Sequence, residues 1–359
     1  VATVRSAIEE LALAEQCDAA GAYDDAINAL ARATRLGDVE ATTRLGKRLI
    51  VGNNAPLLPH DGAGFLIEAM NRGGAEAPAR LAVLAAAGVY VQQGLDHALR
   101  LTVLAAQRGW RASQSQLLAL TPDYSLASAA EPVPAVHWQR LGDSIDLARW
   151  TASPAGETLH ESPLIRAFPD FISDRVCNWL IDFSRGRLTR ALVYDAIGGQ
   201  NFASRNRTNS WAQFDLMTTE WIHLLVQLRM QAACGIPLCN MEATAVLHYA
   251  VGEESINHFD FVNPAIPNYA QEIERNGQRV LTFLVYLNED YEGGRTDFVE
   301  LGIAHKGRRG EGLFFVNALE NNAPDPRTLH AGRPPTQGEK WIVSQFIRNR
   351  RVLGSEPPK

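Results

Sequence analysis

The tightest constraint on the fold is the stretch Ser255-Ile256-Asn257-His258-Phe259-Asp260-Phe261. Its imperfect alternation of polar and apolar residues predicts a strand, and side chains two apart on a strand lean from the same face. His258 and Asp260 then offer an imidazole nitrogen and a carboxylate oxygen to one point in space. Two such ligands leave a divalent metal short of its facial set, so a third has to arrive from elsewhere. The candidate is His330, in Thr328-Leu329-His330-Ala331-Gly332. Two histidines and one carboxylate on one face, with other positions open, suit non-haem Fe(II) that binds a cosubstrate and dioxygen. A His-x-Asp alone is a weak signal. Its weight comes from what accompanies it.

Shortly after His330, Gly338-Glu339-Lys340-Trp341-Ile342-Val343-Ser344-Gln345-Phe346 opens on a turn residue and continues as a predicted strand. Lys340 shares a face with Ile342 and Ser344. An ammonium among apolar neighbours is costly unless it meets an anion. A dicarboxylate cosubstrate held by the metal at one end supplies that anion at the other. In Arg279 to Leu287, Val280, Thr282, Leu284 and Tyr286 occupy one face, and Leu281, Phe283, Val285 and Leu287 the other. The hydroxyls of Thr282 and Tyr286 are therefore expected to fall together, suited to the carboxylate that Lys340 would hold.

Taken in order, Tyr249-x-x-Gly252, His258-x-Asp260, Thr282 to Asn288 (TFLVYLN), Glu292-Gly293-Gly294, Leu329-His330-Ala331-Gly332 and Gly338-x-Lys340-Trp341 resemble prolyl 4-hydroxylase-like 2-oxoglutarate and Fe(II) dependent dioxygenases. The resemblance runs from about Ser162 to Arg350. It implies a double-stranded β-helix (jelly-roll) core with buttressing helices. It also implies that His258, Asp260 and His330 are the iron ligands and catalytic centre, and that Lys340 meets the distal carboxylate of the cosubstrate. Tyr249, Thr282 and Tyr286 match positions lining the cosubstrate pocket. The implied cofactors are Fe(II), 2-oxoglutarate and dioxygen, with ascorbate as a reductant. Related halogenases carry a small residue in place of the carboxylate, so Asp260 favours hydroxylation. Arg295 departs from the pattern, since many relatives have Glu after the paired glycines; it bears on substrate choice rather than on iron.

Residues 1–120 are rich in Ala, Leu, Arg and Gly and almost devoid of strand-like segments. Arg35-Leu36-Gly37-Asp38-Val39-Glu40-Ala41 lines up with Arg72-Gly73-Gly74-Ala75-Glu76-Ala77 and with Arg108-Gly109-Trp110-Arg111-Ala112, so Gly37, Gly73 and Gly109 recur every 36 residues. Each glycine follows an apolar helical pattern, and helix-turn-helix units of such a period mark tetratricopeptide-type solenoids. The Ala/Gly-rich wording resembles Sel1-like repeats in particular. A plain antiparallel helical bundle is the alternative. Such repeats either hold a peptide or protein on a concave surface or pack on the catalytic part and support it.

The expected architecture is therefore a two-domain α+β protein. Helical Sel1/TPR-like repeats span 1–120, a Pro-spaced linker spans 121–161, and the dioxygenase domain spans 162–359. Trp138 and Trp150 place the linker against the body of the protein. Predicted helices begin near Ser173 and Thr219, the second stopped by Gly235 and Pro237. Between them, the polar, basic and aromatic run Arg205 to Trp211 follows Gly198-Gly199-Gln200; relatives use this region near the substrate mouth, which makes Arg207 and Trp211 the substrate-contact candidates. Asn263 to Asn276, with Pro264 and Pro267, reads as an irregular excursion on the rim. His223, His248 and His305 lack partners at ligand spacing and are read as surface or packing residues.

A formal charge of −6 argues against a nucleic-acid partner bound through phosphate neutralisation, and Lys306-Gly307-Arg308-Arg309 reads as a solvated loop. Four scattered cysteines, Cys17, Cys177, Cys234 and Cys239, are no disulfide scaffold. No apolar run reaches the ~18 residues of a membrane span, and Val1 to Glu10 lacks a signal-peptide pattern. The expected location is the cytoplasm. Nothing in the sequence sets an oligomeric state. The expected activity is hydroxylation of an unactivated C–H bond, on a prolyl or other residue of a peptide or protein, with release of succinate and CO2. A free amino acid or small metabolite is the alternative substrate, and a repeat-based binding module with a vestigial oxygenase is the alternative of another class.

Overall fold

A computed structural model describes residues 5–121, 135–195, 200–202 and 204–354. Pro122, Pro132, Pro134 and the Gly198-Gly199 pair lie outside the described residues. The chain divides into two compact units: Val1–Leu147 with Asp215–Leu224, and Ala148–Phe214 with Leu225–Lys359.

In the first unit the helices Ala7–Ala19, Tyr23–Arg35, Val39–Val51, Pro59–Asn71, Glu76–Ala87, Leu95–Gln107 and Arg111–Leu120 follow one another, each packed on the next. The 36-residue period is visible bond by bond. Gly37, Gly73 and Gly109 take φ values of 94°, 93° and 90°, a left-handed conformation in which a Cβ would be strained. The amides of Asp38, Gly74 and Trp110 then close the three turns alike, donating to the carbonyls of Ala33, Ala69 and Ala105 at 3.0, 2.9 and 2.9 Å. Arg72 donates to the Thr34 carbonyl at 3.2 Å, and one period on Arg108 donates to that of Met70 at 2.8 Å. Small residues let the helices approach: a Cβ on Gly62 would come within 2.6 Å of the Gly46 carbonyl oxygen.

This unit also takes in a stretch of chain from much further on. Arg80 is buried, and its Nη1 donates to the carbonyls of Met217 and Thr219 at 2.9 and 2.7 Å. Its Nη2 pairs with the Glu220 carboxylate. Gln116 donates to the other Glu220 oxygen at 2.8 Å and accepts the Ile222 amide at 3.0 Å. His223, buried rather than on the surface, accepts the Glu220 amide at 3.2 Å.

The second unit is built on two antiparallel sheets. The larger runs in the order Glu157–Glu161, Leu164–Phe168, Gly312–Val316, Arg279–Tyr286, Lys340–Arg348, Thr244–Tyr249, Ser210–Phe214 and Thr189–Arg190. The smaller runs Ile303–His305, Thr296–Phe298, His330–Gly332, Ser255–His258. Alternation along the strands sends Leu247, Leu284, Leu313 and Phe315 to a shared core with Phe298 of the smaller sheet. The opposite face of the larger sheet carries Phe283 and Phe314, packed with Phe168 and Phe171. Gln227, from the helix Trp221–Cys234, bonds Thr244 and Gln345 at 3.0 Å each.

Three local expectations are revised. The strand expected across 255–261 ends at His258, and Asp260 lies in a bend beyond it. The rim excursion contains a regular helix, Pro267–Asn276, because Pro267 sits in its first turn, where a missing amide proton does no harm. Within the stretch read as a connector, the described residues hold the helices Ala135–Asp143 and Ala148–Thr151 and the strand Glu157–Glu161. Trp138 and Trp150 are both buried.

Candidate metal and cosubstrate site

The antiparallel pairing of Ser255–His258 with His330–Gly332 sets His258 directly opposite His330. Each imidazole is oriented by its own backbone neighbourhood. His258 Nδ1 lies 2.7 Å from the Ile256 carbonyl oxygen, and His330 Nδ1 lies 3.0 Å from that of Thr328. A carbonyl only accepts, so each Nδ1 carries a proton and Nε2 is the ring atom left to ligate. The two Nε2 atoms face the same group: His258 Nε2 is 3.5 Å from Asp260 Oδ1, and His330 Nε2 is 3.4 Å from Asp260 Oδ2. One ligand atom from each of the three lies within 4.8 Å of the others. Among the described residues this is the one such cluster of His, Cys, Asp and Glu.

The protonation states suit a cation. Burial pushes the His330 imidazole down to about 4, with Asp260 pulling the other way, so it is neutral at pH 7. Burial works to raise the Asp260 carboxyl, but His330, His258 and the Thr282 hydroxyl outweigh it and hold it below the usual carboxylate range. A carboxylate and two imidazoles with converging Nε2 atoms form a donor set that a divalent metal takes.

Lys340 stands opposite Tyr249 in the register of neighbouring strands. It is only 1 % exposed, yet forms no ion pair among the described residues. Nζ donates to the Gly294 carbonyl at 2.7 Å and lies 5.4 and 5.6 Å from the ring centres of Tyr249 and Tyr286. Burial pushes the amine down to about 7, with Asp297 alone acting the other way. One carbonyl uses one of three donors. A buried amine so placed fits an incoming anion.

The two hydroxyls expected to converge on one carboxylate go separate ways. Thr282 donates to Asp260 Oδ2 at 2.8 Å and accepts from Asn317 Nδ2 at 2.9 Å. Tyr286 bonds the Thr296 hydroxyl at 2.9 Å. Strand parity puts them on one face, but four residues of strand rise separate them, and each finds a nearer partner.

Arg207 and Trp211 line a cavity of about 450 Å³ together with His258, Asp260, Arg279 and Ser344. The Arg207 guanidinium lies 5.2 Å from the Trp211 ring centre. A second cavity of about 780 Å³ shares Phe259, Tyr269 and Arg279 with the first and is walled by Phe261, Pro324 and Pro326. Arg295 is exposed. His248 pairs with Glu339 at 2.8 Å and His305 with Glu311 at 2.5 Å, so neither belongs to the cluster.

Sequence reasoning missed three residues here. Thr296 had a signal, since it follows the paired glycines by two positions. Arg279, bound through Nε and Nη2 to Glu242 at 2.7 and 2.8 Å, was visible as a charge opening an apolar strand. Asn317 had none, because its partner lies far away in sequence.

Metal donors and buried amine together define a 2-oxoglutarate and Fe(II) dependent oxygenase, and sequence comparison agrees. Residues 244–348 match the 2OG-Fe(II) oxygenase superfamily. The chain is 30% identical over 208 residues to probable prolyl 4-hydroxylase 6 of Arabidopsis thaliana, covering 53% of this chain and 70% of that one. Prolyl 4-hydroxylase subunit alpha-1 of Rattus norvegicus is 28% identical over 190 residues, covering 53% of this chain but 35% of the subunit. Among solved structures, the viral collagen prolyl hydroxylase of Paramecium Bursaria Chlorella virus-1 with 2OG is 27% identical, covering 51% of this chain and 95% of that one, with a TM-score of 0.40. The chain belongs to the 2OG-Fe(II) oxygenase superfamily and is related to the prolyl 4-hydroxylases. It is an enzyme of the 2-oxoglutarate/Fe(II) dioxygenase type.

Proposed function

We propose that this enzyme hydroxylates a prolyl residue in a peptide or protein, converting 2-oxoglutarate and dioxygen to succinate and CO2. One oxygen atom enters succinate and the other the substrate C–H bond, so the reaction balances without a further reactant. Bound Fe(II) supplies the electron transfers that activate dioxygen. The residues do the rest. His258, Asp260 and His330 hold the metal, and the Lys340 ammonium holds the distal carboxylate of the cosubstrate. Tyr249 and Tyr286 wall that end and exclude water. Thr282 gives its proton to Asp260. Arg207 and Trp211 hold the substrate at the mouth of the cavity.

The observation that carries this reading is the pair of backbone-oriented imidazoles with both Nε2 atoms aimed at one carboxylate. Core and helices fit the same reading: a double-stranded β-helix, preceded by Sel1-type repeats whose turns recur every 36 residues. Four free cysteines support a reducing compartment such as the cytoplasm, and among the described residues no helix is long and apolar enough to cross a membrane.

The test is succinate formation from 2-oxoglutarate by protein loaded with Fe(II), with ascorbate present, against a panel of proline-containing peptides and free proline. We expect at least one peptide to stimulate turnover and gain one oxygen atom by mass. Stimulation by free proline alone would move the substrate to the small-molecule class. No consumption of 2-oxoglutarate under any condition would end the reading.

A further inference from the structure

Asp260 is held by a chain of buried hydrogen bonds that the metal assignment does not itself require. We propose that Asn317 and Thr282 form a positioning relay that keeps one Asp260 oxygen occupied and leaves the other as the single donor to the metal. The inference rests on Asp260 being a metal ligand.

Direction is set along the whole chain. Asn317 is fully buried and pinned on both sides: its amide donates to the Val280 carbonyl at 2.8 Å, and its carbonyl accepts from the Asp325 amide at 3.0 Å. Its side-chain Nδ2 donates to Thr282 Oγ1 at 2.9 Å. An amide NH2 only donates, so the Thr282 hydroxyl must send its one proton the other way, to Asp260 Oδ2 at 2.8 Å. Turning the Asn317 amide round would draw that proton towards its oxygen and leave two oxygen lone pairs facing each other across the Thr282–Asp260 contact. The orientation seen is the one that satisfies the carboxylate. Among the described residues it leaves Asn317 Oδ1 buried without a partner, a cost for which the fold itself offers no return. With Oδ2 bonded and the carboxylate plane fixed, Oδ1 is free to ligate, and a metal keeps a position that a two-oxygen grip would fill.

The test uses the whole chain and Co(II), which binds without turnover and whose ligand-field absorption reports coordination number. Thr282→Val keeps the shape and removes the hydroxyl. We expect Co(II) affinity to fall about 10- to 100-fold, the range for losing a partner that orients a metal ligand, with a changed absorption band. Thr282→Ser should restore both, which a purely space-filling role for the threonine would not require. Asn317→Leu should shift both in the same direction by less, because Thr282 can still reach Asp260 unaided. Parental affinity and band in Thr282→Val would overturn the relay. If that variant does not fold, parental behaviour of Asn317→Leu does so instead. A different failure is separable: parent protein that binds no Co(II), or binds it equally well as His258→Ala, defeats the metal assignment itself and the relay with it.

Discussion

Two buried cations, one in each unit, are treated in opposite ways. Arg80 in the first unit is 2 % exposed, Lys340 in the second 1 %. Arg80 meets the Glu220 carboxylate and two backbone carbonyls, all from one short stretch of its own chain. Lys340 meets one carbonyl and two aromatic rings. Removing a charge from water is costly unless it is paired. In the first unit the chain supplies the counter-charge, so the cation serves the fold. In the second, on the proposed function, the counter-charge is left for the cosubstrate to bring, and the cation serves binding.

The largest expected effect tests the first half of that contrast. Glu220→Ala leaves the buried Arg80 guanidinium with only the longer 3.8 Å contact to Glu76, and should lower unfolding free energy by about 3–5 kcal/mol, read by chemical denaturation of the metal-free protein. Arg80→Ala combined with Glu220→Ala should cost less than the two single changes added together, since the second removes a charge already orphaned. Additive losses would mean that the pair is not a unit.

Lys340→Met tests the other half and should behave differently. It removes a buried amine that forms no ion pair among the described residues, so metal-free stability should hold or rise. The loss should fall on 2-oxoglutarate, with apparent affinity down about 10- to 100-fold, the weight of a hydrogen bond to a charged group. Titration of the cosubstrate against Fe(II)-loaded protein under nitrogen reads this directly. A large drop in metal-free stability with unchanged affinity would make Lys340 a second Arg80 and remove the distinction.

The contrast was half legible in the sequence. Lys340 showed because its neighbours are local: a lysine two residues from Ile342 on a strand must share its face, whatever the rest of the fold does. His258 and Asp260 showed by the same parity, although the strand stops between them and Asp260 reaches the cluster from a bend. The period of Gly37, Gly73 and Gly109 survives intact, since a left-handed turn residue is a local demand. Arg80 showed nothing. Its partners, residues 217–220, lie far away in sequence, and no spacing rule links them. Thr282 falls between these cases. Parity put its hydroxyl on the inner face, but only the three-dimensional register places Asn317 and Asp260 on either side of it.

The finest test of the contrast is pH, because an amine awaiting its anion should titrate where a paired one does not. Lys340 is pushed down by burial to about 7 from an ordinary 10.5. Between these values the unfolded chain binds more protons than the folded one, so this group makes the metal-free protein more stable as pH rises. The penalty is full below about 7 and gone above 10.5. Cosubstrate affinity should run the other way, since the dicarboxylate meets an ammonium. It should be level below about pH 7 and fall by up to about tenfold per unit above it, as each binding event takes up one proton. In Lys340→Met this component of both slopes should vanish together. A parent protein whose 2-oxoglutarate affinity stays flat from about pH 6 to 9, where one proton should be linked to binding, would mean that the amine is already charged before the ligand arrives. Its counter-charge would then belong to the chain, as it does for Arg80.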